Sequence, residues 1–309
     1  MKNIVGPVPS RRLGMSLGVD LVPYKTCSFD CIYCELSRTT NKTTTRKEYI
    51  SKDLILKQLE DYLLLLDSPP DYITISGSGE PTLNSKLGEI IKGVKSITQI
   101  PVAVLTNSSL LFMDEVKKDL LEADVVLPSL DAVSSNVFKY INRPDPLLAI
   151  DKIISGLINF RKEFSGQLWL EILFCRVIND DYAEVEKMNE VIKKMKPDKI
   201  QLNTVVRPAA EDFAIPLNGI RLHTMKKKLG IKTELIATTI PEQGGTHFVD
   251  NEENIINLTS RRPCTMEDIS IALELHPNET FKYLGKLEKE RRISHTLHNR
   301  RAYYQAVTL

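Results

Sequence analysis

The chain reads as an α/β protein built on a parallel sheet, with a small helical unit at its C-terminal end. Three observations predict this. Short apolar runs alternate with amphipathic stretches over most of the first 240 of the 309 residues. Glycine-rich or polar segments follow those runs at once, which is where β/α enzymes place their sites. Beyond residue 250 the alternation gives way to closely spaced helices and a hairpin. A barrel and a doubly wound open sheet both satisfy this periodicity.

The elements are expected in the following order. Leu17–Val22 is the first strand and leads into a cysteine-rich loop. A helix over Lys52–Leu66 has Ser51 as its N-cap. Tyr72–Ser76 is the second strand, ending in Gly77-Ser-Gly-Glu-Pro81, before a helix near Leu87–Ile97. Val102–Leu105 is the third and runs into Thr106-Asn-Ser-Ser, with a helix near Met113–Glu122. Val125–Leu127 is the fourth and runs into Pro128-Ser-Leu-Asp131, with helices over Asn136–Tyr140 and Leu147–Phe164. Leu168–Phe174 is the fifth, leading through Cys175–Asp180 to a helix near Tyr182–Met195. Lys199–Leu202 is the sixth, followed by Asn203 and Arg207-Pro208. Pro216–Leu229 and Lys232–Ile236 add a helix and a strand at the barrel's side.

Pro241-Glu-Gln-Gly-Gly245 reads as a hinge within a linker over residues 241–250. After it come a short helix over Asn254–Ser260 and a capping box, Thr265-Met-Glu-Asp268, opening Ile269–Leu275. Thr280–Lys289 carries Phe281, Leu284 and Leu287 at helical spacing, and a hairpin turns at Asn299-Arg300. Helix, turn, helix and ribbon predict a winged helix-turn-helix over residues 251–309, behind a main domain over residues 1–240. From Ser260 onward nine Lys/Arg face six Asp/Glu, in a chain whose net charge is +1. Two readings of that basic excess stay open. Lys282, Lys286, Lys289, Arg300 and Arg301 lie on nucleic-acid phosphates, or they are the solvated face of a docking or dimerisation module.

Five cysteines do not make a disulfide framework, and three of them are clustered. The N-terminus has no signal-like apolar run, and Leu54–Leu66 is too short and too charged to span a membrane. A cytoplasmic enzyme with no membrane association is expected. Cys175, at the end of a strand, is expected to be a buried thiol. Cys264 is read as a small residue at a helix approach, and His276, His295 and His298 as surface residues.

The chemistry is carried by Cys27-Ser-Phe-Asp-Cys31-Ile-Tyr-Cys34. A closed zinc site or a complete cubane requires four ligands, and only three are spaced together. Three thiolates hold three irons of a [4Fe–4S] cluster and leave the fourth iron open. This motif resembles that of the radical S-adenosylmethionine (SAM) superfamily. The resemblance implies a partial (β/α)6 TIM-type barrel in which Cys27, Cys31 and Cys34 bind the cluster, the open iron chelates SAM, and Tyr33 lies against the adenine.

Ser76-Gly-Ser-Gly-Glu-Pro resembles the family's Gly-Gly-Glu-Pro motif, with Ser78 in place of the first glycine. It implies SAM contacts from Gly77, Ser78, Gly79 and Glu80, the last accepting from the methionine ammonium. Thr106-Asn107 and Ser129-x-Asp131 resemble the loops that meet the ribose and the carboxylate, although such residues also cap helices. Asn203 and Arg207 face either the substrate or, for Arg207, a surface salt bridge. Gly6-Pro-Val-Pro-Ser-Arg-Arg-Leu-Gly14, Ile141-Asn-Arg143-Pro144 and Gln201–Pro208 resemble a subgroup related to the tRNA wyosine synthases. Those segments otherwise read as stiffened backbone with surface arginines. True wyosine synthases carry a second cluster on upstream cysteines, and no cysteine precedes Cys27.

The resemblance thus implies reductive cleavage of SAM to a 5′-deoxyadenosyl radical, an electron donor such as flavodoxin or ferredoxin, and an RNA base, in particular of tRNA, as substrate. A glycyl-radical activase, a small-molecule radical enzyme and an Fe–S redox-sensing DNA-binding regulator are the alternatives.

Overall fold

The computed structural model describes residues 3–230, 232–236, 251–273 and 275–307. The chain begins with a hairpin of β1 (Ile4–Ser10) and β2 (Gly14–Val19), followed by two short strands, β3 (Thr26–Cys27) and β4 (Asn41–Lys42), that pair beside the cysteines. Strands then alternate with helices: α1 (Lys52–Leu63), β5 (Tyr72–Ile75), α2 (Leu87–Ile97), β6 (Val102–Thr106), α3 (Asp114–Leu120) and β7 (Val125–Pro128). Next come α4 (Ser135–Ile141), α5 (Ile150–Glu163), β8 (Gln167–Phe174), α6 (Tyr182–Met195), β9 (Lys199–Thr204), α7 (Gly219–Leu229) and β10 (Thr233–Leu235). The C-terminal unit holds α8 (Asn251–Arg261), α9 (Met266–Leu273), α10 (Pro277–Lys289), β11 (Ile293–His298) and β12 (Arg301–Ala306).

The main sheet runs β1-β2-β5-β6-β7-β8-β9-β10, and only β1 is antiparallel to its neighbour. Strand order follows chain order without a reversal. A doubly wound sheet needs a switch point, so the open alternative falls and the barrel-type winding stands. Among the described residues the sheet is not closed, its two edges being β1 and β10.

Alternation along the strands decides which face each side chain takes. Val102 and Val104 of β6 join the main core beneath the helices, with Ile73, Ile75, Leu170, Ile172 and Leu202. Ala103 and Leu105 point the other way and join Val125, Leu127 and Trp169 on the inner face. Leu13, in the β1–β2 turn, packs into that inner cluster. The turn therefore reaches inside the sheet's concave side.

Several expectations are corrected here. The segment containing Gly6 to Gly14 is an edge strand and a turn, not a stiff lead-in. Pro7 and Pro9 are tolerated because β1 pairs on one side only. Ser51 occupies the N-cap of α1 without a side-chain bond, and Glu48 accepts from Lys52 N at 2.8 Å instead. That helix ends at Leu63, and β9 runs on through Asn203 to Thr204.

In the C-terminal unit, the capping box of Thr265 and Asp268 is formed reciprocally, each bond 3.0 Å. Asn299 and Arg300 both have positive φ, the geometry of a two-residue type I′ hairpin. The unit has its own core around Leu258, Ile269, Leu284 and Ile293. The expected hinge at 241–245 lies outside the described residues. Among the described residues no helix is long and apolar enough to cross a membrane.

Candidate functional site

Parallel strands put every strand-to-helix loop at one end of the sheet, and the cysteine loop after β2 lies at that end. Its backbone is tied down: Asp30 N and Ile32 N donate to Asn142 O and Ile141 O, each at 3.0 Å, and Thr43 N donates to Cys27 O at 2.9 Å. Each of the three sulfurs then meets one nitrogen donor from a different side chain. Lys25 Nζ lies 3.2 Å from Cys34 Sγ, Asn107 Nδ2 lies 3.4 Å from Cys27 Sγ, and Asn142 Nδ2 lies 3.4 Å from Cys31 Sγ.

Burial raises the Cys27 thiol to about 12, with the Glu80 charge adding to the effect, and it also raises Cys31 well above the ordinary thiol value. Thiols in such a place ionise when cations bind them. Donors aimed at sulfur favour the ionised form and are the usual second shell of an iron–sulfur cluster. Among the described residues no three His, Cys, Asp or Glu side chains are grouped as ligands of a single ion. A cubane presents its irons at separate corners, so its ligands need not converge on one point. The donor set therefore fits a cluster.

The loop after β5 is held against this one. Lys25 N donates to Ser78 O at 2.6 Å and Glu80 N to Thr26 O at 3.0 Å. A Cβ on Gly79 would sit 1.9 Å from Thr26 O, so only glycine allows this approach. Gly77 has φ +119°, and a Cβ there would meet Asp20 Oδ1 at 1.4 Å. Ser78 donates to Asp20 through both its N–H (3.0 Å) and its hydroxyl (3.2 Å).

Glu80 accepts from Thr82 N (3.0 Å), Thr82 Oγ1 (2.6 Å), Thr106 Oγ1 (2.7 Å) and Asn107 N (2.7 Å). Three of these bonds fall on Oε1 and one on Oε2, which leaves Oε2 able to accept a further donor. In this arrangement Glu80 fixes the Thr106–Asn107 loop, and Asn107 in turn reaches Cys27. Burial raises the Glu80 pKa against the pull of those bonds.

Asp131 is buried after β7 and accepts from Tyr33 Oη, from Asn142 Nδ2 (2.9 Å) and from Leu173 N (2.9 Å). Burial outweighs these donors and raises its carboxyl to about 6. Tyr33, Asn107, Ser129, Asp131 and Asn142 line one cavity of about 10 Å³, room for about one water. Four predicted residues thus converge. Asn142 was not predicted as a site residue, although it lies inside a quoted motif; nor was Lys25, whose only signal is its place two residues before Cys27.

Arg11, Arg12 and Arg207 are not on the surface. Arg207 is 6% exposed and pairs with Glu35, which follows Cys34, at 3.3 Å. Arg11 approaches Glu35 at 3.8 Å, and Arg12 pairs with Glu171 on the inner face, where Asn203 Nδ2 also donates at 3.0 Å. Burial alone would raise the Glu35 carboxyl, but the guanidiniums, Arg207 foremost, hold it at about 2. Cys175 and Cys264 are both fully buried. His276 Nδ1 caps α10, accepting from Asn278 N at 3.2 Å, and His295 pairs with Glu288 at 2.5 Å.

The model of the radical SAM superfamily matches residues 21–188. The chain belongs to that superfamily. A UPF0026 protein of Methanocaldococcus jannaschii is 34% identical over 97% of this chain and 94% of its own length. A protein of Brachyspira hyodysenteriae named GTPase Obg is 39% identical over 96% of this chain, which spans 44% of that protein's length. The phosphate motif Gly-x4-Gly-Lys-Ser/Thr does not occur in these 309 residues. A radical SAM methyltransferase structure from Sphaerobacter thermophilus aligns with a TM-score of 0.53 at 14% identity, covering 71% of this chain and 65% of the other. That likeness gives the fold, a partial TIM-type barrel. Membership of the superfamily makes the protein an enzyme, with SAM and a [4Fe–4S] cluster as its cofactors.

Proposed function

We propose that Cys27, Cys31 and Cys34 hold the cluster and that the loops at Gly77–Glu80, Thr106–Asn107 and Ser129–Asp131 form the SAM side of the site. The observation that carries this reading is the set of three sulfurs, each met by a different nitrogen donor. When bound, the cluster supplies the electron that cleaves SAM reductively to methionine and a 5′-deoxyadenosyl radical, which takes hydrogen from the substrate. The protein's own part is positional. Glu80 holds Asn107 in place, Asp131 orients Tyr33 and Asn142, and Lys25 offsets charge at Cys34. A small redox protein of the flavodoxin or ferredoxin kind supplies the electron, and a reducing cytoplasm suits the cluster.

The substrate class is an RNA base, in particular of tRNA. Supporting it are the subgroup motifs and the exposed Lys282, Lys289, Arg291, Arg300 and Arg301 of the C-terminal unit. Lys286 counts less, because it is paired with Glu252 at 2.7 Å. Residues 251–309 are read as a winged helix-turn-helix that presents this basic face, joined by the 241–250 linker to a barrel over 1–240. The test compares modified nucleosides in bulk RNA from cells carrying wild type or Cys31→Ala. A nucleoside whose abundance changes at least severalfold is expected. Identical profiles would remove RNA as the substrate and leave the radical chemistry standing.

A further inference from the structure

The guanidiniums of Arg11 and Arg207 pair with Glu35 beside Cys34, and those of Arg12 and Arg262 lie near enough to act on its charge. They come from three separate segments: the β1–β2 turn, the loop after β9 and the end of α8. We propose that these arginines bind a phosphate group of the substrate. The inference deepens the RNA reading and rests on it for the choice of phosphate over other oxyanions.

The acids present do not satisfy this cluster. Among the described residues the Nε of Arg12 and the Nε of Arg207 are buried and find no hydrogen-bond partner. Buried donors in native proteins almost always have partners, so an acceptor belongs there. Arg207 is shared between Glu35 and Asp268, the latter at 3.8 Å, and Arg12 is paired with Glu171. Arg262 is half-buried and forms no ion pair among the described residues. Burial, reinforced by Arg207, Arg12 and Arg262, lowers Arg11 to about 10 although Glu35 opposes it. Such a field favours one more anion. Planar guanidinium forks match the oxygens of a phosphate, which accepts from several at once. The site touches the cysteine loop through Glu35, so a phosphate held there would anchor the substrate at the barrel opening.

The test is calorimetric titration of the full-length, anaerobically reconstituted protein with inorganic phosphate at constant ionic strength. Saturable binding is expected, weakened about tenfold or more in Arg262→Gln. The unpaired Arg262 makes that variant safe for folding, which an unchanged unfolding temperature in phosphate-free buffer would verify. Arg12→Lys keeps the charge, removes the fork, and should also bind more weakly. Displacement of phosphate by adenosine 5′-monophosphate would point to a free nucleotide as its source, and displacement only by a short RNA to a polymer. Absence of saturable binding, unaltered binding in Arg262→Gln, or equal binding of succinate would overturn the proposal. No turnover is involved, so this result stands or falls separately from the nucleoside comparison.

Discussion

Asn142 faces three acceptors of the site: Cys31 Sγ at 3.4 Å, Tyr33 Oη at 3.4 Å and Asp131 Oδ2 at 2.9 Å. An amide nitrogen has two protons, so the short bond to the carboxylate sets its orientation and the sulfur receives what that orientation leaves. Asp131 is therefore a positioning residue. Its folded pKa of about 6 exceeds the ordinary 3.8, so the folded state binds the proton more tightly. That favours folding below about 4 and is lost as pH rises through about 6, a change of about 3 kcal/mol. Asp131→Asn should abolish it. Between pH 4 and 6 the stability of wild type relative to the variant is expected to fall, as read by denaturant unfolding at matched cluster content; parallel profiles would contradict the assignment. The three cysteines stand out in the sequence because they share eight residues. Lys25 and Asn142 do not, because a donor to sulfur leaves no spacing pattern, and Asn142 lies 111 residues from Cys31.

The β1–β2 hairpin and α8 together change what the C-terminal unit means. Sequence periodicity located α8, α9, α10 and the ribbon, since each has a cap or an apolar spacing of its own, but it started each helix three residues late. Docking of the unit on the barrel was not legible, because it depends on single contacts between distant segments. Val8 of β1 packs on the unit's core, and Tyr303 Oη donates to Val206 O at 2.8 Å. Arg261 at the end of α8 pairs with Asp20 at 2.8 Å, and Asp20 in turn accepts from Ser78. Burial raises the Asp20 pKa despite Arg261, so the carboxylate depends on that partner. Arg261→Ala should cost about 3–5 kcal/mol in chemical denaturation, as expected when one member of a buried pair is removed. Adding Asp20→Asn should recover part of the loss. A single variant within about 0.5 kcal/mol of wild type, the range of ordinary surface changes, would show that the pair does not hold the unit.

At the scale of the molecule, monotonic strand order is what makes the site. The parallel strands present their strand-to-helix loops at one end, so residues as far apart as Glu35 and Arg207 meet there. Alternating runs in the sequence predicted the sheet and the end at which loops gather. They did not predict β1, whose prolines and single pairing partner mimic an irregular lead-in. The near-neutral total of +1 likewise hides an interior cluster of arginines. The central claim is that Cys27, Cys31 and Cys34 make a SAM-cleaving centre. It is tested most directly by incubating the anaerobically reconstituted protein with SAM and dithionite and measuring 5′-deoxyadenosine. The account predicts its formation by wild type and its loss, at least to background, in Cys27→Ala, Cys31→Ala and Cys34→Ala. A wild type that holds four irons per chain, binds SAM and releases no 5′-deoxyadenosine would contradict it.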